Sequence, residues 1–175
     1  MAQDYTITKR PLTDQEIDLI YHELKSTPNI TGYTRSEWKA FKNVFVATRQ
    51  GILIGISLTK MIDEQWDELA VLYVLPAFRH KGVGKHLFYK AFESLKDKKK
   101  NIYAVSRNQS IIALLKSNRF ELLNFLKLPP ELKLHILKFA LSPYRIYEFV
   151  RKSLVYKSKD KWIYCIKLNN NHHLQ

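Results

Sequence analysis

The stretch Phe78–Leu87, FRHKGVGKHL, constrains the fold more than any other part of the chain. It holds two of only five glycines, Gly82 and Gly84, between an apolar run ending at Pro76 and a run of helical periodicity. The run before it, DELAVLYVL, reads as a strand. The run after it, GKHLFYKAFESLKDKK, aligns Leu87, Phe88, Ala91, Phe92 and Leu95 on one face of a helix. Strand, glycine turn and helix in that order make an anion site. First-turn amides have no intrahelical partner, and the helix dipole favours negative charge there. Glycine lets the backbone approach such an anion closely, and Arg79, His80, Lys81 and Lys85 surround it with charge and donors.

Two nucleotide signatures fail here. GVGK resembles the end of a Walker loop, but Arg79 stands where its first glycine belongs and His86 where its magnesium-binding Ser or Thr belongs. A dinucleotide fingerprint needs a third glycine where the chain has Leu87.

Around this turn the elements alternate. YTITKRPL reads as a strand, and LTDQEIDLIYHELKS as a helix opened by a Thr13/Glu16 capping box and stopped by Pro28. TRSEWKAFKN is a short helix, and VFVATRQGILIGISL a hairpin turning at Gly51. NIYAVSR and QSIIALLKSNRF read as strand and helix; ELLNFLKL fits either; KDKWIYCIKL closes as a strand. Between them LPPELKLHILKFALSPYRIYEFVRKSLV reads as two proline-started helices, about 129–155. The order predicts an α/β (α+β) fold with one mixed sheet and a right-handed crossover at the glycine turn. All of 1–175 is expected to form a single domain, with a disordered tail from about 169 to 175.

Composition narrows the function. The polar N-terminus and the lack of a long apolar run predict a cytoplasmic protein without membrane contact. Cys165 is the only cysteine and sits in a strand-like run, which predicts a buried structural thiol. No metal site is expected, and His172 and His173 belong to the tail. The formal charge of +13 favours anionic partners: a nucleotide-like cofactor, an acidic protein or nucleic acid.

The stretch LAVLYVLPAFRHKGVGKHLF resembles the acetyl-CoA-binding motif of the GNAT superfamily of N-acetyltransferases, whose loop reads Arg/Gln-x-x-Gly-x-Gly/Ala. Arg79, Gly82 and Gly84 match it, Val74 and Pro76 match its flank, and the resemblance runs from about Val44 to Phe120. It implies a GNAT-like fold: a central mixed, mostly antiparallel sheet flanked by helices, here with an extra helical insertion before the last strand. It implies acetyl-CoA as cosubstrate, its pyrophosphate cradled by the amides of Arg79, His80, Lys81, Gly82, Val83, Gly84 and Lys85. Leu72, Tyr73 and Val74 would lie on a splayed strand end that pairs with pantetheine. Asn108 matches an asparagine near that arm, and it reads equally as a cap for the following helix. Glu68 stands at the interval of the catalytic glutamate in the histone-acetylating branch and is the expected base; Asp67, by alternation, faces the other way.

The sequence departs from the family pattern in the next helix. Leu115 occupies the place of a tyrosine acid and Arg119 that of a glycine, while Phe120 keeps the aromatic match. Tyr73, Tyr103, Tyr144 and Tyr147 are substitutes for that acid. The insertion opens like an F-box, and it reads more simply as an amphipathic pair covering the sheet. Tyr144, Tyr147 and Phe149 among Arg145, Arg151 and Lys152 would suit a lid, a homodimer surface or an anionic docking patch. Three readings follow. The first is an acetyl-CoA-dependent N-acetyltransferase acting directly on a primary amine of a small molecule or protein. The second is a non-catalytic acyl-CoA-binding module, and the third a basic nucleic-acid-associated protein.

Overall fold

The computed structural model describes residues 4–28, 30, 32–156 and 161–169. The chain opens with β1 (Thr6–Lys9), α1 (Asp14–Lys25) and α2 (Arg35–Ala40). The expected capping box starts α1, and Thr34 with Glu37 forms a second one at α2. β2 (Val44–Arg49) and β3 (Ile52–Met61) make the hairpin; Gln50 and Gly51, at φ 51° and 78°, give it a left-handed two-residue turn. β4 (Trp66–Val74), α3 (Val83–Lys96) and β5 (Asn101–Ser106) form the crossover, followed by α4 (Gln109–Ser117) and β6 (Glu121–Leu123). The ambiguous ELLNFLKL divides into β6 and a 3-10 turn at Phe125–Lys127. The insertion is α5 (Pro130–Ala140) and α6 (Pro143–Tyr156), and β7 (Ile163–Lys167) ends the fold.

The strands form one sheet in the order β1-β2-β3-β4-β5-β7-β6, antiparallel everywhere except between β4 and β5. Helices cover both faces. On one, Ile17, Ile20, Leu24 and Trp38 of α1 and α2 pack on Val46, Val71 and Tyr73, and Leu132 of α5 packs on Trp66, Tyr103 and Ile166. On the other, Phe88 and Phe92 of α3 and Leu115 of α4 close over Ile102, Ala104 and Cys165. Cys165 is fully buried there, and burial pushes its thiol up to about 11, so it stays protonated. Of the predicted tail only Asn169 is described, its amide bonded to Asn101 Oδ1 at 3.0 Å; residues 170–175 lie outside the described residues.

β4 carries an irregularity that shapes the cleft beside it. Leu58 pairs with Val71 but Thr59 with Leu69, so Ala70 is an extra residue, a β-bulge. It reverses the alternation. Trp66, Val71 and Tyr73 face α1 and α5, whereas Leu69 and Leu72 face α3 and α4. The β4–β5 ladder stops at the same place, with Leu69 opposite Ala104; beyond it β4 stays paired only with β3, to Val74, and β5 only with β7, to Ser106.

α6 is tied to α1 by charge. Lys152 Nζ donates to the carbonyls of Leu24 (2.6 Å) and Ile30 (2.7 Å), and Arg151 to that of Lys25 (2.8 Å). Cations therefore meet the negative end of the α1 dipole. The fully buried Glu148 takes both arms of Arg151, and Arg145 pairs with Glu37 while lying 3.8 Å from the Phe139 ring centroid. This corrects the docking-patch expectation: Arg145, Arg151 and Lys152 serve the interior contact with α1 and α2. Tyr144 also turns inward, its hydroxyl buried, and only Tyr147 and Phe149 of that group are exposed. Among the described residues no helix is long and apolar enough to cross a membrane.

Candidate active site

The cleft runs from the glycine turn to Glu68, the two ends that the resemblance assigns to the cofactor and to the acceptor. At the first, Gly82 caps α3 in the left-handed conformation, φ 81°. A Cβ there would meet nothing within 4 Å, so the turn needs glycine for its backbone angle and not for room. The first helical bond runs from the His86 amide to the Gly82 carbonyl, 3.1 Å. The amides of Val83, Gly84 and Lys85 precede it and have no helical partner. The Arg79 amide, expected in the cradle, is turned to the Pro76 carbonyl (3.3 Å).

The side chains divide differently from the sequence reading. Arg79 Nε donates to the Val74 carbonyl (3.0 Å), bracing the end of β4, and Lys81 Nζ rests on the Ala77 carbonyl (3.0 Å). Val83 is buried against Leu87 and Ala91, so only its amide serves the turn. Arg79, His80, Gly82, Gly84 and Lys85 border the cleft; Lys81 and Val83 do not.

From this turn a cavity of about 820 Å³ runs between the parted ends of β4 and β5 to Glu68. Leu72, Tyr73 and Val74 line it, as expected for the splayed strand, although the Val74 carbonyl is already taken by Arg79. Asn108 fills the capping role and also stands on the cavity wall. Its Oδ1 caps α4 by accepting from the Ser110 (2.9 Å) and Ile111 (3.3 Å) amides, and the residue borders the cavity. Gly55, which the sequence reading passed over, brings β3 and β4 together: a Cβ there would lie 2.9 Å from the Tyr73 carbonyl oxygen.

Glu68 marks the acceptor end. Its side chain is 9% exposed, and Oε2 lies 3.4 Å from His135 Nε2 and 3.8 Å from Lys60 Nζ. Asp67 is fully buried away from the cavity and paired with Lys98 (3.1 Å). Tyr33 and Tyr103 stand beside Glu68. Burial, aided by the Glu68 charge, lifts both phenols far above their usual range, so they remain donors at neutral pH. Of the four substitute acids, Tyr73 and Tyr103 border the cavity, whereas Tyr144 and Tyr147 do not. Tyr73 already donates to Glu23 (2.5 Å), and burial with that bond pushes it up to about 12. Leu115 is buried where the tyrosine was sought, and Arg119 holds the left-handed angle, φ 63°, that explains a glycine there.

His135, Ile136 and Phe139 of α5 and Phe149 of α6 complete the acceptor end; Phe149 was named from sequence as a lid or docking residue, and the three of α5 were not singled out. A signal existed. In ELKLHILKF, His135 interrupts the inward stripe Leu132, Ile136, Phe139 at helical spacing.

The sequence model of the acetyltransferase (GNAT) family matches residues 14–119. No curated protein sequence is significantly similar to the chain. Among solved structures, N-acetylglutamate synthase from Neisseria gonorrhoeae, complexed with coenzyme A and N-acetyl-glutamate, is similar over 97% of this chain (TM-score 0.65, 14% identity). The chain spans only 36% of that synthase. The ribosomal-protein-S18-alanine N-acetyltransferase of Escherichia coli is similar over 98% of this chain and 99% of its own (TM-score 0.62, 14% identity). A Mycobacterium tuberculosis protein in complex with CoA matches 93% of this chain and 99% of its own (TM-score 0.66, 12% identity).

Proposed function

The chain belongs to the acetyltransferase (GNAT) family, and from this membership and the site's geometry we propose that it moves an acetyl group from acetyl-CoA directly to a primary amine of a small molecule or protein. The observation that carries the reading is the parting of β4 and β5 after Leu69 and Ala104, which opens one cavity from the first turn of α3 to Glu68. Acetyl-CoA supplies the activated thioester. The amides of Val83, Gly84 and Lys85 bind its pyrophosphate, and the unpaired edge of β4 offers backbone groups to its pantetheine arm. Glu68 takes the proton that an amine of ordinary pKa carries at pH 7, whose removal costs roughly 4–5 kcal/mol. The α5–α6 pair, fastened to α1, walls the acceptor end and favours a small amine within that substrate range.

Calorimetric titration with acetyl-CoA is the first test. Binding is expected in the wild type and absent in Gly82→Asp, which puts a carboxylate on the turn. Amine-dependent thiol release should then collapse in Glu68→Gln with acetyl-CoA binding intact. The apolar Leu115 supports a second reading, an acyl-CoA-binding module without transfer. Tight binding with no thiol release against any amine would favour it.

A further inference from the structure

We propose that His135, carried into the cleft by the inserted helix α5, is the positioning residue through which Glu68 disposes of the acceptor's proton; this rests on the acetyl-transfer reading above. α5 lies beyond residues 14–119, the part of the chain that the family pattern covers. His135 Nε2 stands 3.4 Å from Glu68 Oε2, within ion-pair distance. Oε2 is shielded and has no hydrogen-bond partner among the described residues. The imidazole is held edge-on to Tyr103, centroids 6.4 Å apart, and its neighbours Leu132 and Ile136 anchor the helix in the core. Other groups facing the pair are Lys60 of β3 at 3.8 Å, Tyr33 before α2, Tyr103 of β5 and Tyr164 of β7, with Glu131 and Lys138 one turn away on α5.

A carboxylic acid ordinarily titrates near 4.3, an imidazole near 6.5 and an alkylamine near 10.4. A carboxylate alone is therefore a poor acceptor for an ammonium proton. Handing that proton to imidazole gains about two pK units, a hundredfold in proton affinity. The ammonium N–H breaks and its proton passes to Glu68, then from Glu68 to Nε2, restoring the carboxylate. The freed amine attacks the thioester carbonyl; the C–N bond forms, the C–S bond breaks, and the amine's next proton neutralises the thiolate. The imidazolium returns its proton to water. Ammonium and thioester thus give amide, thiol and one proton.

Two experiments test the assignment. The first compares the His135 ring nitrogen signals by NMR at one fixed pH in the wild type and in Glu68→Gln, and needs no acceptor. The Nε2 signal should move more than the Nδ1 signal when the carboxylate is removed; an unchanged Nε2 signal overturns the pairing. The second follows thiol release from acetyl-CoA with a panel of primary amines between about pH 5.5 and 9. His135→Gln, which keeps a donor but cannot titrate, should lower kcat roughly 10–100-fold, shift the acid limb, and leave acetyl-CoA affinity unchanged. Added imidazole should restore part of the rate of His135→Ala. A His135→Gln enzyme with wild-type kcat and pH profile overturns the role. If the wild type binds acetyl-CoA but turns over no amine, the transfer reading fails, and the Nε2 signal still decides the pairing.

Discussion

Glutamine at position 148 probes the attachment of α6, where two cations depend on one buried carboxylate. Glu148 is fully shielded, receives both arms of Arg151 at 3.0 and 2.9 Å, and lies 3.9 Å from Lys152 Nζ. Burial lowers Lys152 from 10.5 to about 8, Glu148 opposes that fall, and Arg151 and Arg107 add to it. Keeping the ammonium charged at neutral pH thus already costs roughly 3 kcal/mol. Glu148→Gln keeps the shape and removes the charge. Lys152 then falls further, but its added cost at pH 7 is capped at about 1 kcal/mol, because there it can shed its proton. Arg151 cannot shed its own, and losing a bidentate charged pair adds about 2 kcal/mol. The expected loss at pH 7 is about 2–3 kcal/mol, or a fall in Tm of roughly 4–12 °C.

The pH dependence carries the stricter test. A lysine lowered in the fold contributes stability that is complete above about 10.5 and is lost as pH falls through about 8. In Glu148→Gln the cap on the lysine cost rises by about 1.4 kcal/mol per pH unit below 7. The deficit should therefore lie between about 2 and 5 kcal/mol at pH 6, exceeding the value of about 2 at pH 9, where the wild-type lysine is already mostly neutral. Urea unfolding followed by tryptophan fluorescence at both pH values measures it. A deficit under about 1 kcal/mol at pH 6, or one that grows with pH, refutes the coupling.

Three further substitutions report on single positions. Arg119→Gly relieves a left-handed angle, φ 63°, at the end of α4 and should stabilise the protein by about 1 kcal/mol; a thermal melt showing no rise in Tm argues against strain there. Gly82→Ala enters open space at φ 81° and should cost only the backbone penalty, about 1 kcal/mol. A loss beyond about 3 kcal/mol in chemical denaturation would instead mean crowding at the turn. Leu132→Ala removes a fully buried side chain packed with Trp66, Tyr103 and Ile166, and should cost about 3–5 kcal/mol in the same assay. A loss under about 1 kcal/mol would mean that α5 is not part of the core.

What the sequence made readable was local. The Thr13/Glu16 box, the Gly51 hairpin and the apolar stripe of α3 each need fewer than about twenty neighbouring residues to recognise, and each stands where it was expected. The bulge at Ala70 is different. It is a mismatch between two strands, and nothing within DELAVLYV distinguishes its alternation from a regular one. The charges of α6 misled for a related reason. Arg145, Arg151 and Lys152 on a helix imply a solvated face unless partners are known, and the Lys152 partner Leu24 is 128 residues away.

The same distinction explains why one half of the site was legible and the other was not. The cofactor half lies in one continuous segment, β4 through the first turn of α3, where a backbone departure (glycine at a positive φ) leaves a mark in the sequence. The acceptor half is assembled from Tyr33, Glu68, Tyr103 and His135, on four separate segments, with side chains common in ordinary cores. Only Glu68 belongs to the local motif; Tyr103 was named as one of four interchangeable tyrosines, and Tyr33 and His135 were not named. The bulge joins the halves. Because Ala70 reverses the alternation of β4, Tyr73 and Glu68, five residues apart, face the same side of the sheet, so one strand reaches from the glycine turn to the acceptor end. In a regular strand an odd separation would put them on opposite faces.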